Sequence, residues 1–354
     1  MKRKITEKID TVTCIPSEYW GEKIPAPRSV KIELCGRCNL RCKFCGLPGR
    51  EKQPTVDMDF DKFKDWTRQM REAGVQEIGL FYLGESFMNV ELLERAIRYL
   101  KGELAFPYVF ITTNGTLATP QAVERCMDAG LDSLKWSVNS SDAEQFESVT
   151  GTKAKLFRRA LANIAAAKEA RDQGGYKCGL YASSIRYDGE QLVRMEKLLD
   201  EYVRPYVDEH YWLPLYGMAM RQEEMKAKFG YVPMHGNPGR IDVATGLPLR
   251  SGLPCWCVFT EGHVRVDGHM SACGFGADDK FDVGDLNTDS FMDIWNNALF
   301  RSVRAAHLRT ETEGACALKG TMCEVCIVYE GERPKASAKL PNQPIKIFRK
   351  GASE

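Results

Sequence analysis

The chain has 354 residues, with 49 basic and 48 acidic side chains and a formal net charge of +1 at pH 7. This balance gives no bulk attraction to a polyanion, so composition does not favour a nucleic-acid partner. No run of about 18 apolar residues is present, which argues against a membrane span. The first residues also lack the apolar core of a secretory signal, and we expect a cytoplasmic protein.

Short β-like runs alternate with amphipathic helical runs over the first 216 residues. In chain order the predicted strands are 30–34, 77–84, 108–115, 133–140, 178–185 and 210–216. The predicted helices between them are 59–73, 90–101, 120–129, 155–170 and 189–202. Strands separated by helices indicate parallel βαβ units. Six strands are too few for an ordinary eight-unit barrel, so the pattern predicts an α/β fold with a partial (β/α)6 barrel.

Changes in composition divide the chain into five parts. We predict an N-terminal extension over residues 1–28 and a partial barrel over 29–219. A linker or substrate-side loop follows over 220–254, then a cysteine-rich domain over 255–330 and a tail over 331–354. The linker has scattered Gly and Pro with little periodicity, and the tail is rich in Lys and Pro.

Thirteen cysteines, an odd number, fall mainly into two groups. Four lie between Cys35 and Cys45, and six lie between Cys255 and Cys326. Structural disulfides are rare in a reducing compartment, so this distribution favours metal binding over disulfide pairing.

The first group places Cys38, Cys42 and Cys45 directly after the first predicted strand, with the spacing C-x3-C-x2-C. Three thiolates on one short loop suit three irons of a [4Fe–4S] cluster. The fourth iron would then be open to a cofactor or a substrate. A structural zinc loop is the alternative, although zinc more often takes a pair of two-ligand arms.

This arrangement, with Phe44 before the last cysteine, resembles the radical S-adenosylmethionine (SAM) superfamily. The resemblance implies a [4Fe–4S] cluster chelated by Cys38, Cys42 and Cys45 and by the amino and carboxylate groups of SAM. It implies that SAM is cleaved to a 5′-deoxyadenosyl radical, which removes a hydrogen atom from the substrate. It also implies an external electron donor such as flavodoxin or ferredoxin. Cys35 lies outside the pattern, and we expect it to be structural.

Polar residues after later strands fit the same resemblance. Gly84 and Glu85 match the centre of the family's Gly-Gly-Glu-Pro motif, which binds the SAM amino group. Glycine permits close backbone approach, and a carboxylate can pair with an ammonium. Asn114, Ser137 and Asn139 stand where family members contact the ribose and carboxylate of SAM. Such residues are also common turn formers at strand ends.

The second group resembles the SPASM domain and its shorter relative, the twitch domain. The resemblance rests on Cys255, Cys273 and a terminal C-x2-C formed by Cys323 and Cys326. It implies one auxiliary [4Fe–4S] cluster bound by these four residues, with SAM and the first cluster as the other cofactors.

Alternatives stay open for this second group. A structural zinc also suits four cysteines that end in C-x2-C. Cys257 or Cys316 could replace a neighbour as ligand, or pack as a small buried side chain. A second auxiliary cluster would need a further downstream cysteine, and none follows Cys326.

A fully coordinated auxiliary cluster cannot bind SAM, so it suits electron transfer or positioning. A substrate radical beside a hydroxyl becomes strongly reducing once the hydroxyl proton leaves. The resemblance to twitch-bearing aminocyclitol dehydrogenases therefore implies oxidation of an alcohol to a ketone. Only about 28 residues precede the first strand, which favours a small-molecule substrate such as a sugar, aminocyclitol or nucleoside. Peptide modification stays open, because some such enzymes recruit a separate recognition protein.

Three residues are candidates for direct action on the substrate. Cys178, on the fifth predicted strand, could return a hydrogen atom in a competing epimerisation. His210 could act as a base, with Trp212 on the same face of its strand to stack on a ring. Arg186 could bind an anionic group. Each residue also has a purely structural interpretation, and radical decarboxylation, dehydration and a non-enzymatic iron–sulfur or zinc protein stay open.

Overall fold

The helices and strands follow the order expected of repeated βα units. The computed structural model describes residues 4–47, 54–187, 189–215, 239–242, 244–274 and 279–325. The strands are β1 (Ser29–Ile32), β2 (Glu77–Gly79), β3 (Tyr108–Thr113), β4 (Ser133–Ser137), β5 (Gly179–Ile185), β6 (Glu209–Leu213), β7 (Glu261–Val264), β8 (His269–Ser271) and β9 (Asp282–Asp285). The helices are α1 (Ile5–Thr13), α2 (Phe60–Glu72), α3 (Val90–Gly102), α4 (Pro120–Asp128), α5 (Ala143–Thr150), α6 (Ala154–Gly174), α7 (Gly189–Tyr202), α8 (Cys257–Thr260), α9 (Phe291–Trp295) and α10 (Ala298–Glu313).

The described strands form one sheet with the order β6-β5-β4-β3-β2-β1-β7-β8-β9. Strands β1 to β6 pair in parallel, and each is joined to the next through at least one helix. Parallel neighbours need such crossover connections, which is why the alternation in the sequence was informative. The predicted α/β fold with a partial parallel barrel is confirmed.

Strand β7 belongs to the second cysteine region, yet it pairs in parallel with β1. Ser29 lies opposite Glu261, and Ile32 lies opposite Val264. Strands β8 and β9 then extend the sheet in antiparallel fashion. This pairing satisfies the backbone groups of β1, which would otherwise be an exposed edge strand. The two regions predicted as separate domains therefore share one sheet.

Side chains just before the apolar runs fix the starts of the helices. The Asp59 carboxylate accepts from the backbone N–H groups of Asp61 and Lys62, at 2.9 and 3.0 Å, and so caps α2. Thr119 caps α4 directly ahead of Pro120, whose fixed φ suits the first helical position. The apolar faces of these helices pack on the outer face of the sheet. Sheet residues in this core include Val30, Ile32, Ile78, Val109, Ile111, Leu134 and Trp136.

Helix α1, which the sequence analysis did not predict, packs against the amino end of the barrel. Ile5 contacts tyrosines from three strands, and the Thr6 hydroxyl donates to Glu209 Oε1 at 2.6 Å. The tyrosines are Tyr108, Tyr181 and Tyr211. Part of the predicted N-terminal extension thus belongs to the barrel core.

Alternation along the strands gives the sheet an apolar outer face and a polar, aromatic inner face. In β4, Leu134 and Trp136 pack in the helix-side core. Lys135 points the other way, and its Nζ lies 3.2 Å from the Tyr211 hydroxyl. We call the inner space the lumen and define it by the inward residues Lys31, Phe110, Thr112, Lys135, Tyr181, Tyr211, Glu261 and His263.

Two predicted segments fall largely outside the described residues. The tail over 331–354 lies wholly outside them, and the linker over 220–254 is described only from 239, without residue 243. Among the described helices, none combines the length and apolarity needed to cross a bilayer.

Candidate functional site

The loop after β1, residues 35–47, carries the first three predicted metal ligands, and we call it the cysteine loop. The Cys45 N–H donates to the Cys42 carbonyl at 3.0 Å and closes a turn. The N–H groups of Arg41 and Lys43 donate, both at 2.9 Å, to carbonyls at the end of α5. These bonds hold the loop at the carboxyl edge of the sheet.

Cys38, Cys42 and Cys45 lie close enough to one another for their charges to interact. Burial raises the pKa of Cys38 to about 12, and the charges of Glu85 and Cys45 act in the same direction. Burial, with Cys45 and Cys38 nearby, also raises the pKa of Cys42. Three thiolates are therefore costly at this place unless cations balance them, and cluster irons would do so. This donor set fits a [4Fe–4S] cluster.

Gly84 brings the turn after β2 into contact with the cysteine loop. A Cβ at this position would overlap the carbonyl oxygen of Cys35 and lie 3.0 Å from that of Arg37. The Glu85 N–H donates to the same Arg37 carbonyl at 2.8 Å. Glycine is required because both obstacles are backbone atoms, which cannot move aside cheaply. The close approach that Gly84 permits is thus to the cysteine loop.

Glu85 is only 3% exposed, and neutral groups surround its carboxylate. Oε1 accepts from the Thr113 hydroxyl at 2.6 Å and from the Phe87 N–H at 3.1 Å, and Oε2 accepts from the Asn114 N–H at 2.8 Å. Burial raises the pKa of this carboxyl. Within the described part of the chain no Lys, Arg or His forms an ion pair with it. A bound ammonium would supply the missing charge, so this residue fits the amino group of SAM.

Asn114 connects the end of β3 to the cysteine loop. Its Nδ2 lies 3.0 Å from Asn39 Oδ1 and 3.8 Å from Cys38 Sγ. Its Oδ1 accepts from the Thr116 N–H and hydroxyl, at 2.9 and 2.7 Å. The structure therefore brings together Asn114 and the first predicted ligand.

The remaining predicted cofactor residues lie at the same edge of the sheet. Ser137 ends β4 opposite Ser183. Asn139 Oδ1 accepts from the Ile185 N–H at 3.1 Å and so ties the end of β4 to the end of β5. Phe44 is half-buried and packs against the main core.

Four cysteines of the second group are neighbours, and two of them contact a histidine that the sequence analysis did not single out. A hydrogen bond with Cys257, together with burial and the charge of Cys273, raises the pKa of Cys255 well above its usual value. The Cys255 N–H donates to His307 Nδ1 at 3.3 Å, and His307 Nε2 lies 3.4 Å from Cys323 Sγ. The structure thus gathers three of the predicted auxiliary ligands, with Cys257 as an additional neighbour.

The other cysteines of this group are placed differently. Cys326 lies outside the described residues, and Cys316 is exposed. Among the side chains that are described, no three Cys, His, Asp or Glu converge closely enough to ligate a single metal ion.

A tyrosine joins the two cysteine regions. Tyr82, in the turn after β2, donates through its hydroxyl to the Cys273 carbonyl at 2.7 Å. Its ring packs on His263 of β7, with 5.4 Å between the ring centroids. The turn that carries Gly84 and Glu85 is therefore in contact with both regions.

This order of features along the chain agrees with two known protein families. Residues 32–201 match the radical SAM superfamily, and residues 255–326 match SPASM, an iron–sulfur cluster-binding domain. The chain is a radical SAM protein with a SPASM domain. These domains imply a [4Fe–4S] cluster and SAM as cofactors, as the sequence predicted.

Relatives of this radical SAM protein have diverse names. The AdoMet-dependent heme synthase of Methanosarcina barkeri is 24% identical, over 92% of this chain and 98% of that protein. The probable GTP 3′,8-cyclase of Methanococcus maripaludis is 31% identical, over 38% of this chain and only 42% of that protein. The crystal structure of Streptococcus suis SuiB bound to precursor peptide SuiA superposes with a TM-score of 0.58 at 15% identity, over 80% of this chain and 68% of SuiB. This last likeness shows a shared fold.

Cys178 is not brought to the radical SAM site. It precedes β5, at the amino edge of the sheet, whereas the cysteine loop lies at the carboxyl edge. Burial raises the pKa of its thiol, and the nearest charges include Asp132 and Cys126, which lie before β4 and in α4. The expectation that Cys178 faces the site is corrected, because it stands where its strand begins.

His210 and Trp212 share one face of β6, as strand alternation requires, but this is the helix-side face. Trp212 packs in the main core, and the His210 ring lies 3.0 Å from the outward Ser184 hydroxyl. Burial, with the charge of Arg204, lowers the pKa of His210 to about 3. The intervening Tyr211 faces the lumen instead. The expectation that His210 acts on a substrate is therefore corrected.

Arg186 follows β5 at the carboxyl edge of the sheet. Its N–H donates to the Leu213 carbonyl at 2.9 Å, and its guanidinium lies close to the backbone of Gly246. Of the three residues predicted to act on the substrate, Arg186 is the one at the same edge as the cysteine loop.

The lumen contains charged residues that the sequence analysis overlooked. Lys31 pairs with Glu261 at 2.6 Å, and Glu261 also bonds His263 at 2.7 Å. Lys135 lies near them and contacts Tyr211. The available signal was a lysine in the middle of a predicted buried strand, where charged side chains are rare.

Proposed function

We propose that this radical SAM protein oxidises a small-molecule alcohol, such as a sugar, aminocyclitol or nucleoside, to a ketone. When bound, SAM and the first cluster would supply a 5′-deoxyadenosyl radical to take a hydrogen atom from the carbinol carbon. The hydroxyl would lose its proton, and the auxiliary cluster would accept the remaining electron. An external one-electron donor such as flavodoxin or ferredoxin and a cytoplasmic location are part of the proposal.

The observation that carries this proposal is the contact made by Tyr82. Its hydroxyl bonds the carbonyl of Cys273, an expected auxiliary ligand, and it stands three residues before Glu85, which we assign to SAM. The turn that carries Glu85 is thus in direct contact with the auxiliary region. Direct packing of this kind supports transfer of an electron from a substrate to the auxiliary site.

Each of the two cysteine regions would bind one cluster. The first cluster would be held by Cys38, Cys42 and Cys45, and the auxiliary cluster by Cys255, Cys273, Cys323 and Cys326. Glu85 would orient SAM through its ammonium, and Asn114 would hold the cysteine loop against β3. Arg186, at the carboxyl edge, would bind an anionic group of SAM or of the substrate.

Anaerobic reconstitution tests the proposal. The wild-type protein should bind about eight irons per chain, in two [4Fe–4S] clusters, and cleave SAM to 5′-deoxyadenosine under reductant. The triple variant Cys38→Ala, Cys42→Ala, Cys45→Ala should keep about four irons and lose SAM cleavage. Cys316→Ala, at an exposed position, is the matched control and should retain both. If the reconstituted wild-type protein does not cleave SAM, the proposal is overturned.

The fate of the substrate separates oxidation from its competitors. Alcohol oxidation predicts a product that lacks two hydrogens and 5′-deoxyadenosine that carries the substrate hydrogen. Epimerisation predicts an isomer that incorporates solvent deuterium. An isomeric product from any accepted alcohol would overturn the oxidation proposal.

A second candidate is a SAM-dependent step in heme formation. The likeness to the heme synthase of Methanosarcina barkeri extends over 98% of that protein, which favours it over relatives matched only in part. An iron porphyrin with carboxylate side chains, incubated with the reconstituted protein and SAM, tests this candidate. A change in porphyrin mass that depends on SAM would favour it over alcohol oxidation.

A further inference from the structure

Lys135 is a lumen cation that forms no direct ion pair with a carboxylate within the described part of the chain, although Glu261 lies near it. Its Nζ contacts the Tyr211 hydroxyl at 3.2 Å. The carboxylates of Glu77, Glu209 and Glu261 lie on the lumen side, and each already has a partner. Lys8 Nζ lies 3.5 Å from Glu77 Oε1. Glu261 pairs with Lys31 at 2.6 Å and with His263 at 2.7 Å, and Glu209 accepts from the hydroxyl of a threonine in α1 at 2.6 Å.

Two further donors, one opposite Lys135 and one near Lys31, have unused hydrogen-bonding capacity. Thr112 lies directly opposite Lys135 on the neighbouring strand, and its buried hydroxyl has no partner in the described structure. Trp256 is 8% exposed, its indole N–H also has no partner, and the Nζ of Lys31 lies 5.9 Å from its ring centroid. Buried donors without acceptors are costly. The Thr112 hydroxyl and the Trp256 indole N–H are therefore donors that an acceptor group of a ligand would satisfy.

We infer that Lys135, Tyr211 and Thr112, which we call the Lys135 site, bind a carboxylate group of the substrate. This inference rests on the proposed function and narrows it, since the alcohol oxidised in the same barrel would also carry a carboxylate, as a sugar acid does. One uncompensated positive charge with neutral O–H donors suits a single carboxylate. A phosphate dianion would leave a buried negative charge uncompensated.

The position of the Lys135 site suits the chemistry at the sheet edge. Lys135 and Ser137 are inward residues of β4, so Lys135 lies about 7 Å deeper in the lumen than the strand end. Lys135 is half-buried, so part of its side chain is open to solvent. A carboxylate held at this depth would direct the rest of a small molecule towards the carboxyl edge, where the cysteine loop lies.

Electrostatics agree with an anionic ligand. Burial, with the nearby charge of Lys31, lowers the pKa of Lys135 to about 7. A carboxylate beside Lys135 would restore the charged form of the ammonium and give the Thr112 hydroxyl a partner at the same time.

Calorimetric titration of the reconstituted, SAM-bound holoenzyme tests the inference with minimal probes. Propionate is the carboxylate probe, and propionamide is its neutral counterpart of nearly equal shape. Methylphosphonate is the probe that resembles a phosphate. We expect propionate to bind at least about tenfold more tightly than propionamide, the effect of one charge-assisted hydrogen bond. Lys135→Met should abolish this preference, Lys135→Arg should keep part of it, and Tyr211→Phe should weaken it.

Lys155→Met, at an exposed position in the first turn of α6, is the matched control and should behave as the wild type. Equal or undetectable binding of propionate and propionamide would overturn the inference, as would a preference that survives in a folded Lys135→Met variant. Tighter binding of methylphosphonate would overturn the carboxylate assignment. SAM cleavage, measured in parallel, reports on the proposed function alone, so a propionate preference without SAM cleavage would support the site and overturn the reaction.

Discussion

At the scale of single residues, Glu85 combines burial with a carboxylate that meets only neutral donors. Thr113, Phe87 and Asn114 supply three hydrogen bonds, and these orient both oxygens without cancelling the charge. Burying this carboxylate beneath the cysteine loop without a charged partner therefore lowers the stability of the fold. A cationic group of SAM is the natural complement.

We expect Glu85→Gln to weaken SAM binding about tenfold or more, because an amide keeps the shape but cannot pair with an ammonium. Equilibrium binding of SAM to the reconstituted protein measures this, with iron content as a check on the cluster. Glu91→Gln, at an exposed position in α3, should leave the affinity unchanged. Equal SAM affinity of Glu85→Gln and wild type would remove Glu85 from the SAM site.

The hydrogen bonds of the His307 ring assign which of its two nitrogens carries the proton. Burial lowers its pKa to about 4, so the ring is neutral near pH 7. Nδ1 accepts from the Cys255 N–H, which leaves the proton on Nε2, facing Cys323 Sγ at 3.4 Å. A donor at a cluster thiolate stabilises the more negative, reduced state.

We expect His307→Leu to lower the reduction potential of the auxiliary cluster by roughly 60 mV, equivalent to about 1.4 kcal/mol for one electron. His307→Gln, which retains a donor, should restore part of the shift. A potentiometric titration followed by electron paramagnetic resonance measures both variants. Identical potentials in wild type and a folded His307→Leu variant would show that His307 does not stabilise the reduced cluster.

At the scale of elements, the turn between β2 and α3 organises the site. The sequence predicts a strand over 77–84, but β2 ends at Gly79. The chain then leaves the sheet so that Gly84 can pass under the Cys35 carbonyl and Tyr82 can reach Cys273. An apolar, aromatic run favours a strand locally, and tertiary contacts override that preference.

We expect Gly84→Ala to destabilise the protein by about 2–3 kcal/mol, because the new methyl group meets backbone atoms of Cys35 and Arg37. Urea unfolding of the apoprotein measures the change. Gly102→Ala is the matched control, since a Cβ there meets nothing within 4 Å. Its stability should be unchanged or slightly raised, because alanine favours the last turn of α3. If Gly84→Ala unfolds at the same urea concentration as the wild type, the close approach of Gly84 to the cysteine loop is contradicted.

At the scale of the whole molecule, the SPASM region completes the radical SAM sheet. Strand β7 covers the edge of β1, and Arg304 of α10 holds distant segments together. Its guanidinium donates to the carbonyls of Val258 and Glu22, at 2.8 and 3.1 Å, and stacks 4.3 Å from the Trp295 ring centroid. Arg304 is fully buried, and burial lowers its pKa to about 9.

We expect Arg304→Lys to cost about 3 kcal/mol, because an ammonium cannot reach both carbonyls while stacking on the indole. Thermal unfolding of the apoprotein measures the loss. Arg301→Lys, on the exposed face of the same helix, should unfold as the wild type does. Equal melting temperatures for the two variants would show that Arg304 does not link these segments.

The sequence by itself determined the βα order, the two cysteine groups and the family to which they belong. These features depend on local periodicity and on short spacings, which a single strand, helix or loop expresses without its neighbours. Cys38, Cys42 and Cys45, together with Glu85 and Asn114, could therefore be predicted, and the structure gathers all five at one edge of the sheet.

Only the tertiary structure decided which strand face is the lumen and which strand neighbours β1. Alternation places His210 and Tyr211 on opposite faces, but it cannot say which face meets helices. The pairing of β1 with β7 joins residues more than 200 positions apart, a distance over which no local signal acts. For the same reason Lys135, with Tyr211 across the lumen, emerged as a candidate site only once the strands were assembled.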